Sequence, residues 1–118
     1  MKKIQILVIC GHEEILLTIL RLINSNGNWN AIGVGSGERA IELFHQSVFD
    51  LVLLGSGISS EDENKVRSIF VLQNPQIKII QHFGGGSGLL SNEIEAALTD
   101  NGDGNFNVID NPFQKSIL

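Results

Sequence analysis

The sequence predicts a three-layer α/β sandwich, with a five-stranded parallel sheet between two layers of helices. Short apolar runs alternate along the chain with stretches of helical periodicity, the pattern of βα units joined by right-handed crossovers. The central run, Val48 to Leu54, is interrupted only by Asp50. Such a run is too continuous for a strand with one wet face and reads as a strand buried on both. It stops at Gly55-Ser56-Gly57, where a sheet of this kind presents its ligand-binding edge.

Ile4 to Cys10 reads as the first strand, ending at Gly11. Its start, MKKIQILVIC, has the lysines and apolar run of a short signal peptide. However, His12, Glu13 and Glu14 follow at once without a small-residue cleavage site. His12 to Ile23 is the first helix, and Glu13 and Glu14 in its first turn oppose the positive end of the macrodipole. Its apolar set is Ile15, Leu16, Ile19, Leu20, Leu22 and Ile23, with Leu17 further round. That stripe is wider than a helix with one side in water needs. Asn26-Gly27 marks the following turn.

Trp29 to Gly35 is the second strand, and Ser36 is the expected N-cap of a helix over Gly37 to His45. Ala40, Ile41 and Phe44 share its inner face. After the third strand, Glu61 to Leu72 is a helix with Val66, Ile69 and Phe70 inward, broken by Asn74-Pro75. Ile77 to His82 is the fourth strand, and Gly84 to Gly88 a loop. Leu90, Ile94, Ala97 and Leu98 give the fourth helix its apolar face. Asn101 to Asn105 reads as a turn and Phe106 to Asp110 as a short fifth strand. Asn111-Pro112-Phe113 leads into five residues, enough for little more than one helical turn.

At 118 residues the chain reads as one domain, 1–118, long enough for a real core. The hydrophobic fraction of 42% and charged fraction of 18% are ordinary for a globular protein. The net charge is −5 and the eight basic residues are scattered, which argues against a nucleic-acid footprint. No stretch has the length of a membrane span. Cys10 is the single cysteine, so no internal disulfide is available and a reducing cytoplasm is expected.

In this order, Ile6-Leu7-Val8-Ile9, Gly35-Ser36-Gly37-Glu38-Arg39-Ala40-Ile41, Phe49-Asp50-Leu51-Val52-Leu53-Leu54 and Asn111-Pro112-Phe113 make the chain resemble a response-regulator receiver domain of the flavodoxin-like type. The resemblance spans almost the whole length. It implies strand order 2-1-3-4-5, with the last helix short or missing.

It also implies a chemistry, phosphoryl transfer to an aspartate, whose parts are not found here. The family's acidic pair falls on Cys10 and Gly11, and its phosphoacceptor aspartate on Gly55. Its Thr/Ser after strand four falls on His82, its lysine on Asn111 and its aromatic switch residue on Val108. Magnesium wants oxygen ligands, usually including carboxylates, and none stands at these points. The resemblance is therefore to a pseudo-receiver with no phosphoacceptor, no catalytic residue, no cofactor and no metal, acting through protein contacts.

Other groups give weaker readings. Asp50 opens the third strand at the far end from the pocket, and Glu61 and Asp62 fit a helix first turn. Ser56, Ser59 and Ser60 are loop serines open to modification, which would make the chain a switch with an atypical acceptor. Cys10, His12 and His82, with Glu13, suit zinc by ligand type but lack a close-spaced motif, leaving a small metal or ligand sensor as another alternative. Gly84 to Gly88 has no phosphate-loop lysine, and Asn101, Asp103, Asn105 and Asn107 begin like a calcium loop without its glycine or closing glutamate. No nucleophile–base set for an enzyme is present. With the last helix short, the apolar face around Leu16, Leu17 and Leu20 is expected to lack its cover, and either meets a protein partner or a second copy or is covered by a helix encoded beyond residue 118.

Overall fold

The computed structural model describes residues 3–82 and 87–99. Eight elements alternate along them: β1 (Ile4–Ile9), α1 (Glu13–Asn24), β2 (Trp29–Val34), α2 (Gly37–Gln46), β3 (Leu51–Leu54), α3 (Ser60–Gln73), β4 (Lys78–Gln81) and α4 (Ser87–Thr99). All pairings are parallel and the order is β2-β1-β3-β4. This is the first four-fifths of the expected order. The expected fifth strand, Phe106 to Asp110, lies outside the described residues, as do Asn111 and Val108.

Alternation along the central strands divides the core into two. Leu7 and Ile9 of β1 and Val52 and Leu54 of β3 face α2 and α3, where they meet Ala40, Phe44, Val66 and Phe70. The rings of Phe44 and Phe70 stack with centroids 3.9 Å apart. Ile6, Val8, Leu51 and Leu53 face the other way, onto Ile19 and Ile23 of α1 and Leu90 and Ile94 of α4. Both central strands are buried on both faces, as continuous apolar runs between helix layers require.

The third strand is shorter than the sequence suggests. Val48 is 82% exposed and Phe49 turns into the core beside Phe44. The pairing starts at Asp50, whose carboxylate accepts the Gln5 amide at 2.8 Å while its own amide donates to the Gln5 carbonyl at 2.8 Å. The side chain thus replaces one rung of the ladder, and Asp50 is a strand-start residue at the N-terminal edge.

The helix starts follow their local chemistry. Ser36 Oγ accepts from the Arg39 amide at 3.3 Å, and Ser59 Oγ from the Asp62 amide at 3.1 Å. His12 precedes α1 without a side-chain cap, leaving Glu13 and Glu14 to answer the helix dipole.

The first-helix face is covered in part. Leu16 and Leu20 are half-buried against the sheet, their Cδ1 atoms lying over Gly33, whereas Ile15 and Leu17, 45% and 59% exposed, point to solvent. α4 packs on the same sheet face as α1.

Candidate functional site

At the C-terminal edge of a parallel sheet the strands end and helix N-termini begin, so loop groups converge there. Here the convergence is between backbones. Cys10 follows β1, donates its amide to Val34 of β2 at 3.1 Å, and is buried. Its thiol points toward the His12 carbonyl at 3.5 Å, a weak contact. Gly55 follows β3 on the adjacent strand and donates to the Ile9 carbonyl at 2.8 Å. A β carbon on Gly55 would lie 3.0 Å from Cys10 Cβ and 3.2 Å from its sulfur. The thiol fills the volume that a side chain at position 55 would need.

The next layer is closed in the same way. The Gly11 amide donates to the Ser56 carbonyl at 2.8 Å, drawing the β1–α1 loop onto the β3–α3 loop. Gly57 holds a left-handed φ of 82° there, which an L side chain rarely adopts. A β carbon on Gly11 would collide with the Gly57 carbonyl oxygen, and one on Gly57 would meet the Gly11 backbone at 3.0 Å. Two glycines from separate loops therefore touch main chain to main chain.

His82 stands apart from this pair. Its amide donates to the Leu54 carbonyl at 2.9 Å, but its buried ring turns toward α4, with Nδ1 2.7 Å from Glu93 Oε1. At the opposite end of β4, Lys78 Nζ donates to the Ala97 carbonyl at 2.7 Å, so the strand is tied to α4 at both ends. Glu93 is a residue that sequence reading missed. It precedes inward-facing Ile94 and lies one turn from Ala97, a position at the margin of the apolar stripe.

The sulfur and imidazoles do not assemble a metal site. Cys10 and His82 follow β1 and β4 with β3 between, about two strand spacings or ~10 Å apart. His12 is exposed on the loop, and among the described residues no three His, Cys, Asp or Glu side chains converge. Ser59 is occupied as the cap of α3, and Ser56 and Ser60 are exposed. Glu61, Asp62 and Glu63 form the first turn of α3. Of the expected pocket residues Cys10, Gly11, Gly55 and His82, the first three meet and the fourth serves the α4 contact.

No protein-family model matches the chain, and no curated protein sequence matches it. Solved structures do. The signal receiver domain of an HD domain-containing protein from Pseudomonas fluorescens superposes with a TM-score of 0.62 at 18% identity, over 92% of this chain and 75% of that one. A Francisella response regulator receiver domain superposes with a TM-score of 0.55 at 16% identity, over 91% of this chain and 84% of that one. What is shared at such identities is the fold, and the chain is built as a receiver-like domain.

Proposed function

We propose that this chain is a non-catalytic signalling module that acts by protein–protein contact, independently of aspartyl phosphorylation. The observation that carries the reading is the closed edge, where Cys10 packs onto Gly55 and the Gly57 carbonyl onto Gly11. Phosphoryl transfer to a carboxylate needs an in-line nucleophile, a charge-compensating metal and room for a tetrahedral group between them. Glycine and a buried thiol offer none of the three. The apolar packing beneath the edge keeps a rigid scaffold for surfaces that partners can read. On this reading the chain works as one cytoplasmic domain of a bacterial-type two-component system. No described helix is long and apolar enough to cross a membrane.

The test is incubation of the purified chain with Mg²⁺ and a small-molecule phosphodonor, followed by intact mass measurement. The expected result is an unchanged mass. A stoichiometric phosphoryl increment that requires Mg²⁺ and is lost with hydroxylamine would overturn the reading.

A further inference from the structure

The outer edge of β2 carries a contact that neither the helix capping nor the closed pocket requires. Asn24, the last residue of α1, reaches over this edge and bonds both main-chain groups of one residue. Its Oδ1 accepts from the Ala31 amide at 2.7 Å, and its Nδ2 donates to the Ala31 carbonyl at 3.3 Å. The inward-facing groups of β2 belong to the even positions, as Val34 shows by accepting from Cys10. Trp29, Ala31 and Gly33 therefore turn their amides and carbonyls outward, and Trp29 satisfies its amide on the Asn26 carbonyl at 3.1 Å.

One residue exchanging both of its bonds with one partner group is the signature of a hydrogen-bonded antiparallel pair. A parallel neighbour would spread those bonds over two residues. The carboxamide of Asn24 is thus a one-residue copy of an antiparallel strand, placed at the middle of the edge. Among the described residues, the rest of that edge has little other protection. Trp29–Val34 contains no charged residue and no proline, the features that normally blunt an open edge. Ile32 is exposed upon it.

We infer that Asn24 is an intramolecular plug on a strand-addition site, and that the strand it excludes is β2 of a second copy of this chain. Pairing Ala31 with its own symmetry mate is self-complementary, as a two-fold interface must be. It sets Asn30 opposite Ile32 and Trp29 opposite Gly33, so that each side chain meets one from the same sheet face. No like charges oppose each other anywhere along the six residues. With the plug in place the edge is closed. With it removed, two four-stranded sheets join into one. The inference does not depend on whether the pocket takes a phosphoryl group.

Sedimentation equilibrium of the wild type and of Asn24→Ala, with circular dichroism to establish folding, tests this. Asn24→Ala is expected to dimerise at least tenfold more tightly than the wild type. Asn24→Asp keeps the acceptor for the Ala31 amide and loses the donor, so it falls between the two; it also carries the test should Asn24→Ala not fold. Adding Ile32→Lys places a charge on the pairing strand and returns either variant to wild-type behaviour. Folded Asn24 variants that associate no more than the wild type would overturn the inference. So would association that Ile32→Lys leaves untouched, because the interface would then lie elsewhere.

Discussion

Cys10 and Gly55 follow neighbouring parallel strands, and the thiol of the first stands in the volume that a side chain of the second would occupy. The pair is a packing unit: a small, buried, weakly polar group set against a residue with no side chain. Substitution of either partner reads out how tightly this edge is closed.

Gly55→Asp, the change that places an acidic group at the family's acceptor position, is expected to destabilise rather than to activate. Overpacking alone costs about 1–3 kcal/mol, and burying a carboxylate without a partner adds to it. A lowered urea midpoint with an unchanged slope would show it, together with no mass gain from a phosphodonor. Removing the thiol methylene and sulfur as well, in Cys10→Gly with Gly55→Asp, should recover part of the overpacking loss.

The glycine contact between loops gives a graded prediction. Gly57→Ala must hold an L residue at φ 82°, which costs about 1–2 kcal/mol before the contact with Gly11 is considered. Gly11→Ala meets a carbonyl oxygen that cannot rotate away, so the loops must separate and the Gly11–Ser56 hydrogen bond must lengthen. Thermal unfolding should rank wild type above both. Amide exchange should rise in residues 55–58 of the Gly11 variant.

Glu93→Ala leaves the buried Nδ1 of His82 without its partner, a loss of about 1–3 kcal/mol. Because the bond joins β4 to α4, its removal should raise hydrogen exchange in α4 while α2 and α3 keep their protection. Equal protection across all four helices in the variant would mean that apolar packing of Leu90 and Ile94 holds α4 alone.

In the core between α2 and α3, Phe70→Ala removes a fully buried ring stacked on Phe44 and should cost about 3–5 kcal/mol. Leu72, two residues on, is 85% exposed, so Leu72→Ala should stay within about 0.5 kcal/mol of wild type. Val48→Ala should be equally silent. Denaturant titration of the three variants separates them.

Periodicity made most of this fold legible. The inward residues Ala40, Phe44, Val66, Phe70, Leu90 and Ile94 all follow from spacing alone, because a helix over a sheet buries one face and spacing records which. Val48 did not follow. An apolar run does not say where pairing begins, and Asp50 set that point by giving its carboxylate to Gln5. The placement of α4 on the α1 face of the sheet was also hidden, since a stripe shows that a helix is covered and not by what. At the site, the sequence shows directly that Cys10, Gly11 and Gly55 carry no carboxylate. The closure could not be read this way, because it depends on Gly57 adopting a left-handed turn three residues beyond the strand. Asn24 was hidden for a similar reason: an asparagine at a helix end reads as a terminator, and only coordinates show its amide reaching a strand seven residues on.

The meeting of Gly11 and Gly57 bears on how such a chain changes over generations. Each loop uses the emptiness of the other, so a side chain cannot enter one loop until the other has withdrawn. A single substitution at either glycine lands on a destabilised protein, and the two positions are free to change only together. The contact acts as a ratchet that holds both loops at glycine.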